Sequence, residues 1–109
     1  MGECDMKEVE IKLIGRTLTA VLPVEIDHHT ARDVRERIDK EMFLHRPDTL
    51  KLDFSYVQFM DSSGLALIIG RVGTAEAVGA IVKLFGMSER LVRLVRLAGI
   101  ERMSGLTIV

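Results

Sequence analysis

The chain has one cysteine, Cys4. A single thiol closes no internal disulfide and completes no zinc site, which fits a reducing cytosol. Tryptophan is absent, and aromatic residues make up only 5% of the 109. A base-stacking surface for nucleic acid would need more of them. The formal net charge is −1, so there is no global pull toward nucleic acid or anionic membrane. No apolar run reaches the roughly 18 residues of a membrane span. The opening MGECDMKEVE carries acidic residues where a signal peptide needs basic ones. Walker A and G-x-G-x-x-G phosphate loops are missing. The nucleophile-elbow pattern G-x-S-x-G is missing too, because Met60 stands where its first glycine should be. These absences predict a cytoplasmic protein that is not an enzyme, with no cofactor, no metal, no direct nucleic-acid partner and no membrane partner.

What is present is a strong apolar signal. Apolar residues make up 48% of the chain, enough for a packed core, and the length predicts one domain over 1–109. Charge is uneven. Through Asp61 there are 9 basic and 13 acidic residues, a balance of −4, and from Ser62 onward 6 and 3, a balance of +3.

Val9, Ile11 and Leu13 alternate with charged residues, which predicts a strand with one wet face. Gly15-Arg16 suits a type II′ turn into a second strand, Thr17 to Leu22, ended by Pro23. Ala31, Val34, Ile38 and Met42 recur at helical spacing. Asp27 is the preferred cap of that helix, and a Thr30/Asp33 pair is the alternative. Leu50 to Phe54 reads as a strand, with Tyr56 to Met60 as its irregular continuation. A helix capped by Asp61 should run to about Val78. Ala80 to Phe85 is nearly continuous apolar and reads as a central strand buried on both faces. Ser88 should cap a short helix ended by Gly99. Leu106 to Val109 reads as a last short strand. The order is an N-terminal hairpin followed by βαβαβα. It predicts an α/β fold whose mixed sheet is flanked by helices. If the second and third strands are parallel, the starts of the first two helices meet at one sheet edge, where ligands of α/β sheets usually sit.

That edge carries E-I-D-H-H-T-A at Glu25 to Ala31 and F-M-D-S-S-G-L at Phe59 to Leu65. The plain reading of the second stretch is a helix start. Asp61 caps, Ser62 and Ser63 tolerate the first turn, and Gly64 allows close packing. A catalytic reading with Ser62 as nucleophile and His28 or His29 as base is weak, and so is a metal site on Asp27, His28 and His29. A third reading is modification, since a helix N-terminus accommodates a phosphate. The row Arg90, Arg93, Arg96 reads as a solvated helix face.

Together with I-I-G-R ending at Arg71, these motifs resemble the STAS-domain anti-sigma factor antagonists, most of all the sporulation type that opposes the anti-sigma F factor. The resemblance implies a STAS-like fold and a partner-switching role in transcription. The unmodified protein binds an anti-sigma factor that is also a serine kinase, and so frees the sigma factor. The kinase phosphorylates the first serine of D-S-S-G, which is Ser62 here, and a PP2C-type phosphatase restores it. The neighbourhood expected to meet the partner is Asp27, His28, His29, Thr30, Met60, Asp61, Ser63, Gly64 and Leu65, with Met60 and Leu65 as apolar flanks. Two positions depart from the family pattern. Val24 and Ala66 stand where relatives usually have glycine. The alternative reading is a STAS-type nucleotide or small-ligand module, or a scaffold unit of a stress-signalling complex.

Overall fold

The computed structural model describes residues 7–109, so Cys4 and most of the opening decapeptide lie outside the described residues. β1 (Glu10–Ile14) and β2 (Thr17–Val21) form an antiparallel hairpin in which Ile14 pairs with Thr17. Gly15 turns it at φ 62°, and Arg16 keeps a negative φ, the sign pattern of the expected turn.

The chain then passes through β3 (Glu25–Ile26), α1 (His28–His45), β4 (Thr49–Asp53), β5 (Phe59–Met60), α2 (Ser62–Ala77), β6 (Ile81–Phe85), α3 (Glu89–Leu97) and β7 (Leu106–Ile108). A 3₁₀ turn at Ile100–Arg102 precedes the last strand. The main sheet has the order β1-β2-β4-β6-β7 and is parallel from β2 onward. Each crossover therefore steps in the same direction. Right-handed connections then place all three helices on one face.

The burial pattern follows from that one-sidedness. Leu18 and Ala20 of β2, Leu50 and Leu52 of β4, and Val82 and Leu84 of β6 are fully buried under the helices. Val34, Ile38 and Met42 of α1 and Leu67 and Ile68 of α2 complete this core. The other face stays open, and this corrects the expectation for β6. The strand is central, but its residues alternate between exposed and buried. Ile81 is 45% and Phe85 37% exposed. Lys83 breaks the apolar run on that side, and Lys51 places its Nζ 4.1 Å from the Phe85 ring centroid. An apolar run guarantees one covered face, and no helix among the described residues covers the second.

A second difference lies at residues 56–60, which do not continue β4. Val57 N–H turns back to the Phe54 carbonyl at 3.0 Å. Phe59 and Met60 then pair in parallel with Glu25 and Ile26 as a separate two-stranded sheet. The Val24 carbonyl accepts from Gln58 N–H at 2.8 Å and Phe59 N–H at 3.2 Å. Val24 needs no positive φ to do this, so the family's usual glycine is dispensable at this turn. Arg90 of α3 donates to the Gln58 carbonyl at 2.9 Å and holds the same loop from the other side.

Candidate functional site

β3 and β5 deliver two helix starts to one place. Ile26 pairs with Met60, and Asp61 N–H donates to the Ile26 carbonyl at 3.2 Å. Asp27 and Asp61, 34 positions apart in sequence, leave adjacent strands as successive N-caps.

The α1 start is fully closed. Asp27 Oδ1 accepts from His29 N–H at 2.9 Å and Thr30 N–H at 3.0 Å. Asp27 N–H donates to Thr30 Oγ1 at 2.8 Å, completing a capping box. Asp27, rather than the Thr30/Asp33 pair, thus caps the helix, with Thr30 as its reciprocal partner, and the helix begins at His28 as expected. The Thr30 backbone N–H, together with the Thr30 hydroxyl and the His29 N–H and charge, holds the Asp27 carboxyl below its usual pKa, against a smaller opposing effect of desolvation. His28 and His29 are exposed, and their rings meet edge to face at 5.7 Å.

The α2 start is more open. Asp61 Oδ1 accepts one bond, from Ser63 N–H at 2.8 Å, and Gly64 N–H donates to the Asp61 carbonyl at 2.9 Å. Ser62 occupies the first helical position, is exposed, and its hydroxyl makes no hydrogen bond among the described residues. Ser63 is half-buried and lines a cleft of about 370 Å³ between α1 and α2, together with His28, Arg32, Arg35, Ala66 and Leu67.

Gly64 is buried, and a Cβ there would run into Cγ and Sδ of Met60. The glycine lets the first turn of α2 press onto β5. This corrects the expectation that Met60 forms an apolar docking flank. Met60 is only 7% exposed because α2 lies on top of it. Leu65 is half-buried against the core. The exposed apolar side chains next to this seam are Phe59, 50% exposed, and Ile69, 46% exposed. Period-two alternation from the buried Met60 would have pointed to Phe59 had residues 59–60 been recognised as a strand.

Arg32, Arg35 and an interhelical ion pair also escaped the sequence reading. Arg71 of α2 is 5% exposed and brings its Nε to 3.0 Å from Oδ1 of Asp39 on α1. The contact is electrostatic rather than an aligned hydrogen bond, since Arg71 Nε, Arg71 Nη1 and Asp39 Oδ1 are buried without one. Burial holds the Arg71 pKa below its ordinary value. Asp39 opposes that shift and Arg35 adds to it. The signal was available as His28, Arg32, Arg35 and Asp39 at steps of four and three, a single stripe along α1.

No described helix is long and apolar enough to cross a membrane. The STAS domain family matches residues 8–108. An anti-sigma F factor antagonist of Lysinibacillus sphaericus is 30% identical over 92 residues, 84% of this chain and 79% of that protein. An anti-sigma-B factor antagonist of Listeria monocytogenes is 33% identical over 77 residues, 71% of this chain and 67% of that protein. Among solved structures, the anti-sigma factor antagonist SpoIIAA in its unphosphorylated form superposes with a TM-score of 0.74 at 26% identity, covering 93% of this chain and 86% of that one. The family match over residues 8–108, the 30% identical relative and the shared fold agree, and the chain belongs to the STAS domain family, alongside the anti-sigma factor antagonists.

Proposed function

We propose that this chain, taken as one STAS domain over 1–109, is a cytoplasmic anti-sigma factor antagonist switched by phosphorylation of Ser62. The observation that carries the reading is the α2 start, where an exposed, unengaged serine hydroxyl sits at the first position of a capped helix. Relatives named anti-sigma factor antagonists, and a SpoIIAA structure described as the phosphorylated form at a TM-score of 0.73, support it.

In the unmodified state the edge formed by Asp27 to Thr30 and Asp61 to Leu65 docks an anti-sigma factor that is also a serine kinase, and the sigma factor is freed. In the kinase site, Ser62 Oγ attacks the γ-phosphorus of ATP. The new O–P bond replaces the bond to the β–γ bridging oxygen, ADP leaves, and the hydroxyl proton passes to a base of the kinase. A PP2C-type phosphatase reverses the state by directing water onto the phosphorus, which returns the hydroxyl and inorganic phosphate. The added charge of roughly −1.5 to −2 sits at a helix N-terminus, which tolerates an anion, and next to Asp61, which does not attract one. The fold persists while the docking edge becomes more negative. The sporulation relatives make the sigma F system the first candidate partner. Incubation with the anti-sigma kinase of the same organism and ATP, followed by mass-spectrometric mapping, tests the assignment. Phosphate on Ser62 alone is expected. Phosphate confined to Ser63 or a threonine would sink it.

A further inference from the structure

We infer that the cleft between α1 and α2 is a second docking element, a basic groove that receives an acidic segment of the anti-sigma kinase beside Ser62. The inference rests on the function proposed above and adds a surface that neither motif contains.

The groove is asymmetric in charge. Arg32 makes no ion pair among the described residues, and Arg35 reaches only its neighbour Glu36, at 3.9 Å. The nearest acid along the α1 stripe, Asp39, is already engaged by the buried Arg71. Asp33 is turned toward Arg37 at 3.9 Å. α2 contributes no carboxylate before Glu76, and its wall of the cleft is Ser63, Ala66 and Leu67. Two guanidinium groups thus face small side chains that leave them room. Asp27 and Asp61 are not part of its lining, and their carboxylates serve the helix caps.

The shape selects the occupant. His28, Arg32 and Arg35 follow one another along a single helix face over about 10 Å, given 1.5 Å per residue. A small anion would be clasped by converging groups, whereas a row one turn apart fits carboxylates spaced along a peptide. Ser63 ties this row to the acceptor, being the residue after Ser62 and part of the cleft wall. A phosphate on Ser62 therefore adds negative charge at the groove's end, where it competes with the acidic segment. That gives release a cause beyond the added charge on the docking edge itself.

Titration calorimetry of the purified chain against the anti-sigma kinase, at low and at high salt, decides. Wild type should bind and weaken as salt rises. Arg32→Glu with Arg35→Glu should weaken binding about a hundredfold and flatten the salt dependence. Arg32→Lys with Arg35→Lys should retain most of the affinity. Both sites are exposed, and an unchanged thermal melt of each variant shows that folding is not the cause. If wild type fails to bind the kinase, the proposed function and this inference fall together. If wild type binds and the Glu pair binds equally well with the same salt dependence, only the groove is overturned. Saturable amide shifts at Arg32, Arg35 and Ser63 with inorganic phosphate or ATP alone, with kinase affinity unchanged in the Glu pair, would make the groove a small-anion site and overturn it as well.

Discussion

The two helix starts that meet at the sheet edge are built to opposite specifications. At α1, one aspartate and one threonine satisfy each other's backbone, and the carboxylate takes two N–H bonds. At α2, the aspartate takes one, and the next residue offers a free hydroxyl to solvent. Under the proposed function, the first start is a frame and the second an acceptor. A kinase needs a serine it can draw into its own active site. It also needs that serine held at a fixed position, and the closed α1 start supplies that through the β3–β5 pairing.

The largest expected effect breaks the acceptor and spares the frame. Ser62→Asp should lose about 2.8 kcal/mol of binding to the anti-sigma kinase, roughly a hundredfold, because a fixed carboxylate would be buried unpaired at the interface. Ser62→Ala should bind like the unmodified protein and resist release by ATP. Calorimetry on both variants checks this pair, and equal affinity of Ser62→Asp and wild type would refute the charge account.

Next in size is Gly64→Ala. The new methyl meets Met60 on β5, and overpacking of this kind costs about 1–3 kcal/mol in chemical denaturation. In a Met60→Ala background, itself less stable because a core side chain is lost, the same Gly64→Ala change should cost less, since the methyl has room below the turn. An equal cost in both backgrounds would mean that something other than Met60 opposes a side chain at position 64.

A smaller effect compares the caps directly. Asp27→Ala removes two backbone N–H bonds and the capping box, and should lower Tm more than Asp61→Ala, which removes one such bond. An inverted order would show that the α2 start carries more of the fold than its bonds suggest.

The smallest expected effect is in pH dependence. Because the folded-state pKa of Asp27 lies below the ordinary 3.8, its contribution is fully present above that value and fades as pH falls through the folded-state pKa. Asp27→Asn retains a capping side chain without the charge. The stability gap between wild type and this variant should therefore be constant near neutrality and close in acid. A gap that widens in acid would contradict the sign.

The sequence was most readable where a single side chain decides the backbone. Asp27, Asp61 and Ser88 were legible as caps because a short polar group before an apolar period has few other uses, and all three cap. The order of the hairpin, the three helices and the main-sheet strands along the chain followed from the alternation of elements. The β3–β5 pair was illegible because two-residue strands have no period to detect. The open face of β6 escaped because Ile81, Val82, Leu84 and Phe85 read alike whether one or two sides are covered. Met60 was misplaced for the same reason, since apolar character does not say which way a side chain points. Arg71 ends the I-I-G-R motif, and a lone cation in an oily helix does not by itself name its partner, which only the stripe along α1 that ends at Asp39, 32 positions earlier, suggests.

The small β3–β5 sheet also sets how the site comes apart. Its four residues pair through two positions, while β2, β4 and β6 each share five. Opening that small sheet disconnects both helix starts yet leaves the main ladder intact, so the docking edge has its own free energy of opening, lower than that of the whole molecule. Hydrogen exchange would read this as early loss of protection at Gln58, Phe59 and Asp61, whose amides bond across it. A partner that binds only the paired form draws on that gap, and its grip on the edge lengthens the lifetime of these amides before any other in the chain.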